Sequence, residues 1–196
     1  MEDITHKFIN LYNKVSNPSF LKKEGIGGEI SFYISAYDPH QELVIQESIK
    51  GLINKLENNG IKVLELNLYD LICEILETNG GIERMFKIEQ MKSKEKFIRA
   101  LQSTLNIHQV LMPAITEKIK MAEAHVYFLT GIGLVYPYFR SHTILNNLQN
   151  IAKEAPMVAF FPGEYNGLSL NLFGLLKDDN YYRAFNLDTT ETTKWL

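Results

Sequence analysis

The sequence predicts an α/β fold: a mostly parallel central sheet with helices on both faces. The plan is Rossmann-like and P-loop-like but lacks the P-loop, and a helical insert separates the second and third strands. Three observations predict it. Residues 30–68 read strand, helix, strand with tight connections, the βαβ unit whose strands pair in parallel through a right-handed crossover. The runs His125–Thr130 and Met157–Phe161 are almost continuously apolar, as strands covered on both faces are. Between strands two and three lie about forty residues of helical periodicity, more than one crossover uses.

Taken in order, Ile4, Phe8, Leu11, Tyr12 and Val15 recur at helical spacing behind Asp3, a residue type that caps helix starts. Asn17-Pro18 closes this helix. The glycine-rich Glu24–Glu29 leads into the aromatic and β-branched run Ile30–Tyr37, the first strand, which Asp38-Pro39 breaks. Residues 41–59 set Ile45, Ile49, Leu52, Ile53 and Leu56 on one helical stripe, with Gly60 placed to end it. Lys62–Leu68 is the second strand, and Leu68, Leu71, Ile72, Ile75 and Leu76 continue as a helix stopped by Asn79-Gly80-Gly81. Residues 82–123 are helical by pattern, Pro113 beginning or kinking the last helix. The insert is accordingly placed at residues 78–123 within one domain spanning 1–196. Its lysines and glutamates alternate in sign, which usually marks a solvated face. Residues 138–153 are helical; residues 168–176 fit either a short helix or an extended segment. Tyr182–Leu187 closes the sheet as an edge strand, and Asp188–Leu196 reads as a frayed tail.

Composition narrows the function classes. The 196 residues are 45% hydrophobic and 22% charged, which is ordinary for a folded domain. A net charge of -3 supplies no global attraction to nucleic acid or anionic lipid. The one cysteine, Cys73, cannot form an internal disulfide, and neither a secretory h-region nor a membrane-length apolar run is visible. A cytoplasmic protein with no membrane partner is expected.

Ligands of open parallel sheets bind beyond the carboxyl ends of the strands, so the residues there are the candidates. They are Asp38 after strand one, Tyr69 and Asp70 after strand two, and Gly131, Gly133 and Tyr136 after strand three. Glu164 and Tyr165 follow strand four. Arg140 and His142 open the next helix, where backbone amides and a guanidinium could receive an anion. Tyr181, Tyr182 and Arg183, before the edge strand, are of the types enriched at protein interfaces.

Motifs for chemistry fail one by one. No Gly-Lys pair exists for a P-loop, and the dinucleotide fingerprint begun at Gly131 and Gly133 has Tyr136 where the third glycine belongs. Five scattered histidines with one cysteine hold no metal-binding pair, and GxSxG is absent. Asp38, Asp70 and Glu164 stand at strand ends without the lysine that a nuclease-like site would add, and acids there commonly serve turns. No catalytic residue, metal or cofactor is expected.

The runs Phe128–Gly133, Tyr136-Pro137, Arg140–His142 and Leu145–Gln149 resemble the BrxB family. So do Phe161–Leu170, Leu172–Gly174 and Lys177–Phe185, and in the amino-terminal half Asn17–Leu21, Tyr37–Pro39 and Leu66–Leu71. The resemblance implies an accessory protein of a BREX bacteriophage-defence system, without an assigned catalytic activity. It also implies work beside a PglZ-type alkaline-phosphatase-domain protein, a large ATPase and a DNA methyltransferase. An adaptor docking the PglZ-type protein is the leading expectation. Two alternatives stay open: a nucleotide or phosphate sensor, or enzyme, with an unorthodox site at Gly131, Gly133, Arg140 and His142; and a subunit touching DNA, through the helical insert.

Overall fold

The structure, a computed structural model, describes residues 3–24, 31–178 and 184–189. The chain opens with α1 (Ile4–Val15), whose Asp3 cap accepts a hydrogen bond from the His6 amide, and a single turn α2 (Pro18–Leu21). β1 (Phe32–Tyr37) passes through a short 3₁₀ turn into α3 (Glu42–Asn58), then β2 (Val63–Asn67) and α4 (Leu68–Thr78). Helices α5 (Ile82–Met91) and α6 (Lys94–Thr104), a wide turn at Ile107–Leu111 and α7 (Met112–Ala122) precede β3 (Val126–Thr130). After α8 (Ser141–Ile151) come β4 (Met157–Tyr165), β5 (Leu170–Leu172), β6 (Leu176–Asp178) and β7 (Phe185–Asn186).

The strand order β2-β3-β4-β1-β7 is parallel throughout, and β5 and β6 extend it as antiparallel partners at the far end of β4. The mostly parallel α/β architecture read from the sequence is therefore present. Alternating side chains divide the core. Tyr33, Phe128, Val158 and Phe160 face α1, α2 and α3, whereas Ile34, Tyr127, Leu129, Ala159 and Phe161 face α4 to α8. The crossover from β1 to β2 passes over two strands, and the chain then winds back through β3 to β4. That reversal sends β1 and β3 to helices on opposite faces, the condition for a crevice at the carboxyl ends.

Helices α5, α6 and α7, with the turn before α7, add Met85, Leu101, Leu105, Leu111, Met112, Ile115 and Ile119 to the same cluster that covers the sheet. Lys118 of α7 pairs with Glu74 of α4 at 2.8 Å.

Two segments differ from the sequence expectation. Pro162–Tyr165 is strand, not loop: the β4 ladder to β3 ends at Ala159, so a missing amide at Pro162 breaks no bond to that neighbour. Its carbonyl instead receives the Phe173 amide, and residues 170–178 resolve as two extended segments joined by a turn. Asp188, expected to fray, is anchored. Its carboxylate accepts from Ser35 Oγ at 2.9 Å and from the Ala36 amide at 3.0 Å, taking over the β1 edge where β7 stops.

Two lysines of α1 complete that edge. Lys7 donates to the Ala36 carbonyl at 2.6 Å and pairs with Asp188 at 3.0 Å; Lys14 donates to the Leu187 carbonyl at 2.5 Å. Both are buried, and burial lowers the Lys14 pKa from its ordinary 10.5 despite the attraction of Asp188.

Candidate functional site at the carboxyl ends of the strands

Tyr37 ends β1 inside the protein, and its hydroxyl donates to Glu42 Oε2 at 2.6 Å. Burial first, then that carboxylate, push its pKa far up. Asp38 is exposed and caps the 3₁₀ turn, accepting from the His40 amide at 2.9 Å. That bond, with the His40 ring 2.8 Å away, holds its carboxyl below the usual range.

At the end of β2, the Asn67 side chain accepts from the amides of Tyr69 and Asp70 at 3.0 and 3.3 Å, starting α4 without a gap. Tyr69 and Asp70 point outward, and Cys73 one turn on pushes the Tyr69 hydroxyl pKa up. At the end of β3, Thr130 donates to Glu65 at 2.7 Å. Gly131 then turns with φ +71°, where a Cβ would come within 2.5 Å of Asn67 Oδ1. A Cβ on Gly133 would meet Phe173 and Pro162 at 2.9 Å. Protein atoms thus fill the space that a side chain would take at both glycines.

Tyr136 is half-buried, edge-on to Phe173 with ring centroids 6.3 Å apart. Arg140 is exposed at the start of α8 and His142 is half-buried in its first turn. Glu164 is exposed and accepts from Asn171 Nδ2 at 3.1 Å. Tyr165 turns inward: its hydroxyl donates to the Ala184 carbonyl at 2.8 Å, tying the β4 extension to the segment before β7. Tyr181, Tyr182 and Arg183 lie outside the described residues. The topology therefore brings Asp38, Tyr69, Asp70, Gly131, Gly133, Tyr136, Arg140 and Glu164 to one end of the molecule.

The concavity at this end is small. A cavity of about 60 Å³ opens between Tyr37, Glu42, Gln46, Asn67, Thr130 and Gly131. Ligand pockets run to roughly 300–1,000 Å³, so this one has room for water and for single functional groups. Among the described residues no group of three or more His, Cys, Asp or Glu is placed to hold a metal ion, and no helix is long and apolar enough to cross a membrane.

What distinguishes this end is hydrocarbon. Of ten large apolar residues exposed among those described, six lie here: Leu43, Val44, Tyr69, Leu134, Leu168 and Leu175. Leu43 at the start of α3 is 77% exposed and Leu175 in the β5–β6 turn is 83% exposed. Sequence reasoning found the rim but missed five of these six. Leu43 and Val44 did carry a signal, since they fall off the Ile45–Ile49–Leu52–Leu56 stripe that α3 buries. Leu175 carried none, because its exposure depends on how the β4 extension folds back.

Comparison with known proteins gives a consistent answer. A family model described as BREX protein BrxB matches residues 64–187. The chain is 39% identical to a protein named BREX protein BrxB from Bacillus cereus (strain H3081.97), over 95% of this chain and 98% of that one. It is 30% identical to a protein of the same name from Escherichia coli O9:H4 (strain HS), over 94% of this chain and 91% of that one. No solved structure matches the chain.

Proposed function

The chain belongs to the BrxB family of BREX proteins, and from that premise we propose that it is a non-catalytic adaptor of a BREX phage-defence system, docking another component through the strand-end rim. The observation that carries the proposal is the gathering of Leu43, Val44, Tyr69, Leu134, Leu168 and Leu175 at one end of the fold. Apolar residues scattered singly need no explanation, but six of them at one end of the fold, among polar groups, fit a surface that is covered in the working assembly. Asp38, Asp70, Arg140 and Glu164 supply the polar rim.

The PglZ-type alkaline-phosphatase-domain protein is the first choice of partner, with the large ATPase and the methyltransferase next. An adaptor needs shape and a few anchoring side chains and no activated nucleophile. A nucleotide sensor or enzyme at Gly131, Gly133, Arg140 and His142 receives less support, because close packing against Asn67, Phe173 and Pro162 already accounts for both glycines.

The test is co-expression with the PglZ-type protein, followed by size-exclusion chromatography, for the wild type and for Leu134→Asp and Arg140→Glu. The expected result is co-elution that each variant weakens while its circular dichroism stays unchanged. Separate elution of the two wild-type proteins would remove the PglZ-type protein as partner.

A further inference from the structure

We infer that α5 and α6 form a second surface, distinct from the rim, that binds the phosphate backbone of duplex nucleic acid. The chain as a whole carries -3, yet residues 82–99 hold six cations (Arg84, Lys87, Lys92, Lys94, Lys96, Arg99) against three acids (Glu83, Glu89, Glu95). That surplus of three leaves the other 178 residues at -6. A basic patch on an otherwise acidic molecule is a directed field, and its sign selects a polyanion.

The structure places these charges where a ligand could reach them. All six cations are exposed, and none is in an ion pair. On α5 the core takes Met85, with Ile82 and Ile88 packed beside it, so at 100° per residue Arg84, Lys87 and Met91 fall on the outward side. On α6 the core takes Leu101, with Phe97 partly buried, and Lys96 and Arg99 fall outward. Lys92 sits at the junction and Lys94 opens α6. Phe86 and Met91 are also exposed, at 51% and 84%, which gives the patch apolar reach between its charges.

The distribution favours nucleic acid over other anions. The cations are spread along two helices and their junction at spacings of two to five residues, which suits a row of phosphates better than a single carboxylate. An anionic membrane is a broad plane that would also face the acidic remainder of the molecule, whereas a duplex can meet the helix pair alone.

The experiment is fluorescence anisotropy with the full chain and a labelled duplex DNA of roughly 20 base pairs, titrated with salt upward from about 50 mM. A Lys87→Glu/Lys92→Glu/Lys96→Glu variant runs alongside, replaced by the three Gln substitutions if circular dichroism shows a fold defect, and Leu175→Asp serves as the rim control. The expected result is wild-type binding that falls steeply with salt, a triple variant weakened by about tenfold or more, and a log–log salt slope flatter by about two to three. Leu175→Asp should bind DNA as the wild type does. Absence of binding at the lowest salt, or equal binding by the triple variant, would overturn the inference. So would displacement of DNA by polyglutamate of equal total charge as readily as by unlabelled DNA.

Discussion

The β1 edge and the strand-end rim depart from the ordinary partition of residues in opposite directions. At the edge, α1 buries the ammonium groups of Lys7 and Lys14; at the rim, the chain leaves Leu43 and Leu175 almost wholly in water. The edge supplies its own remedy, since both ammoniums find backbone carbonyls and the Asp188 region within hydrogen-bond reach. No neighbour within the described residues covers the rim. A buried charge with internal partners belongs to the fold, and an exposed apolar group without them belongs to an assembly.

The largest expected effect breaks the edge. Asp188→Ala removes the acceptor shared by Ser35, the Ala36 amide and Lys7, and leaves an ammonium buried beside another. Stranding a buried charge of this kind costs about 3–5 kcal/mol, read as a lowered midpoint in urea unfolding. A cost below about 1 kcal/mol would show that the edge does not depend on this carboxylate.

Next comes the scaffold that carries part of the rim. Gly163 sits at φ +145°, and a Cβ there would lie 2.1 Å from the Asn171 carbonyl oxygen. Gly163→Ala is expected to cost about 2–3 kcal/mol and to displace β5, β6 and the Leu175 turn, measured by thermal unfolding together with partner binding. Both should fall, because the patch depends on the position of that turn.

A smaller effect titrates the edge. The folded-state pKa of Lys14 is lowered, so between that value and 10.5 the unfolded chain binds more protons than the folded one. The Lys14 contribution to stability therefore rises as pH climbs through this window and levels off above 10.5. Lys14→Met should remove that rise, which urea midpoints taken across the alkaline range would show.

How far this contrast was legible in the sequence depends on the range of the interactions. The parallel strands were readable because burial on both faces makes His125–Thr130 and Met157–Phe161 apolar without alternation. The strand ends followed from those strands, and with them Tyr69, Arg140 and Glu164. The extension of β4 was hidden by Pro162-Gly163, a pair that reads as a turn unless the neighbouring ladder is known to have stopped. The edge was hidden differently. Lys7, Leu11 and Lys14 share one stripe of α1, but a lysine there looks solvated until Asp188, 174 positions beyond Lys14, is placed beside it. The Leu175 exposure is likewise set by a turn whose position only the tertiary structure fixes.

The smallest effect on stability should be the most telling for the comparison. Leu43→Asp combined with Leu175→Asp changes two side chains that touch little of the protein, so the unfolding free energy should move by no more than about 0.5 kcal/mol. The two positions come from α3 and the β5–β6 turn, which the topology brings to the same end by separate routes. If the rim is covered in the assembly, both aspartates become desolvated there and co-elution with the partner is lost, although the isolated chain melts where the wild type does. An edge residue behaves in the reverse way, since Asp188→Ala lowers the melting temperature whether or not the partner is present. Co-elution surviving both aspartates would mean that the exposed leucines are incidental. The docking surface would then have to be sought elsewhere on the chain.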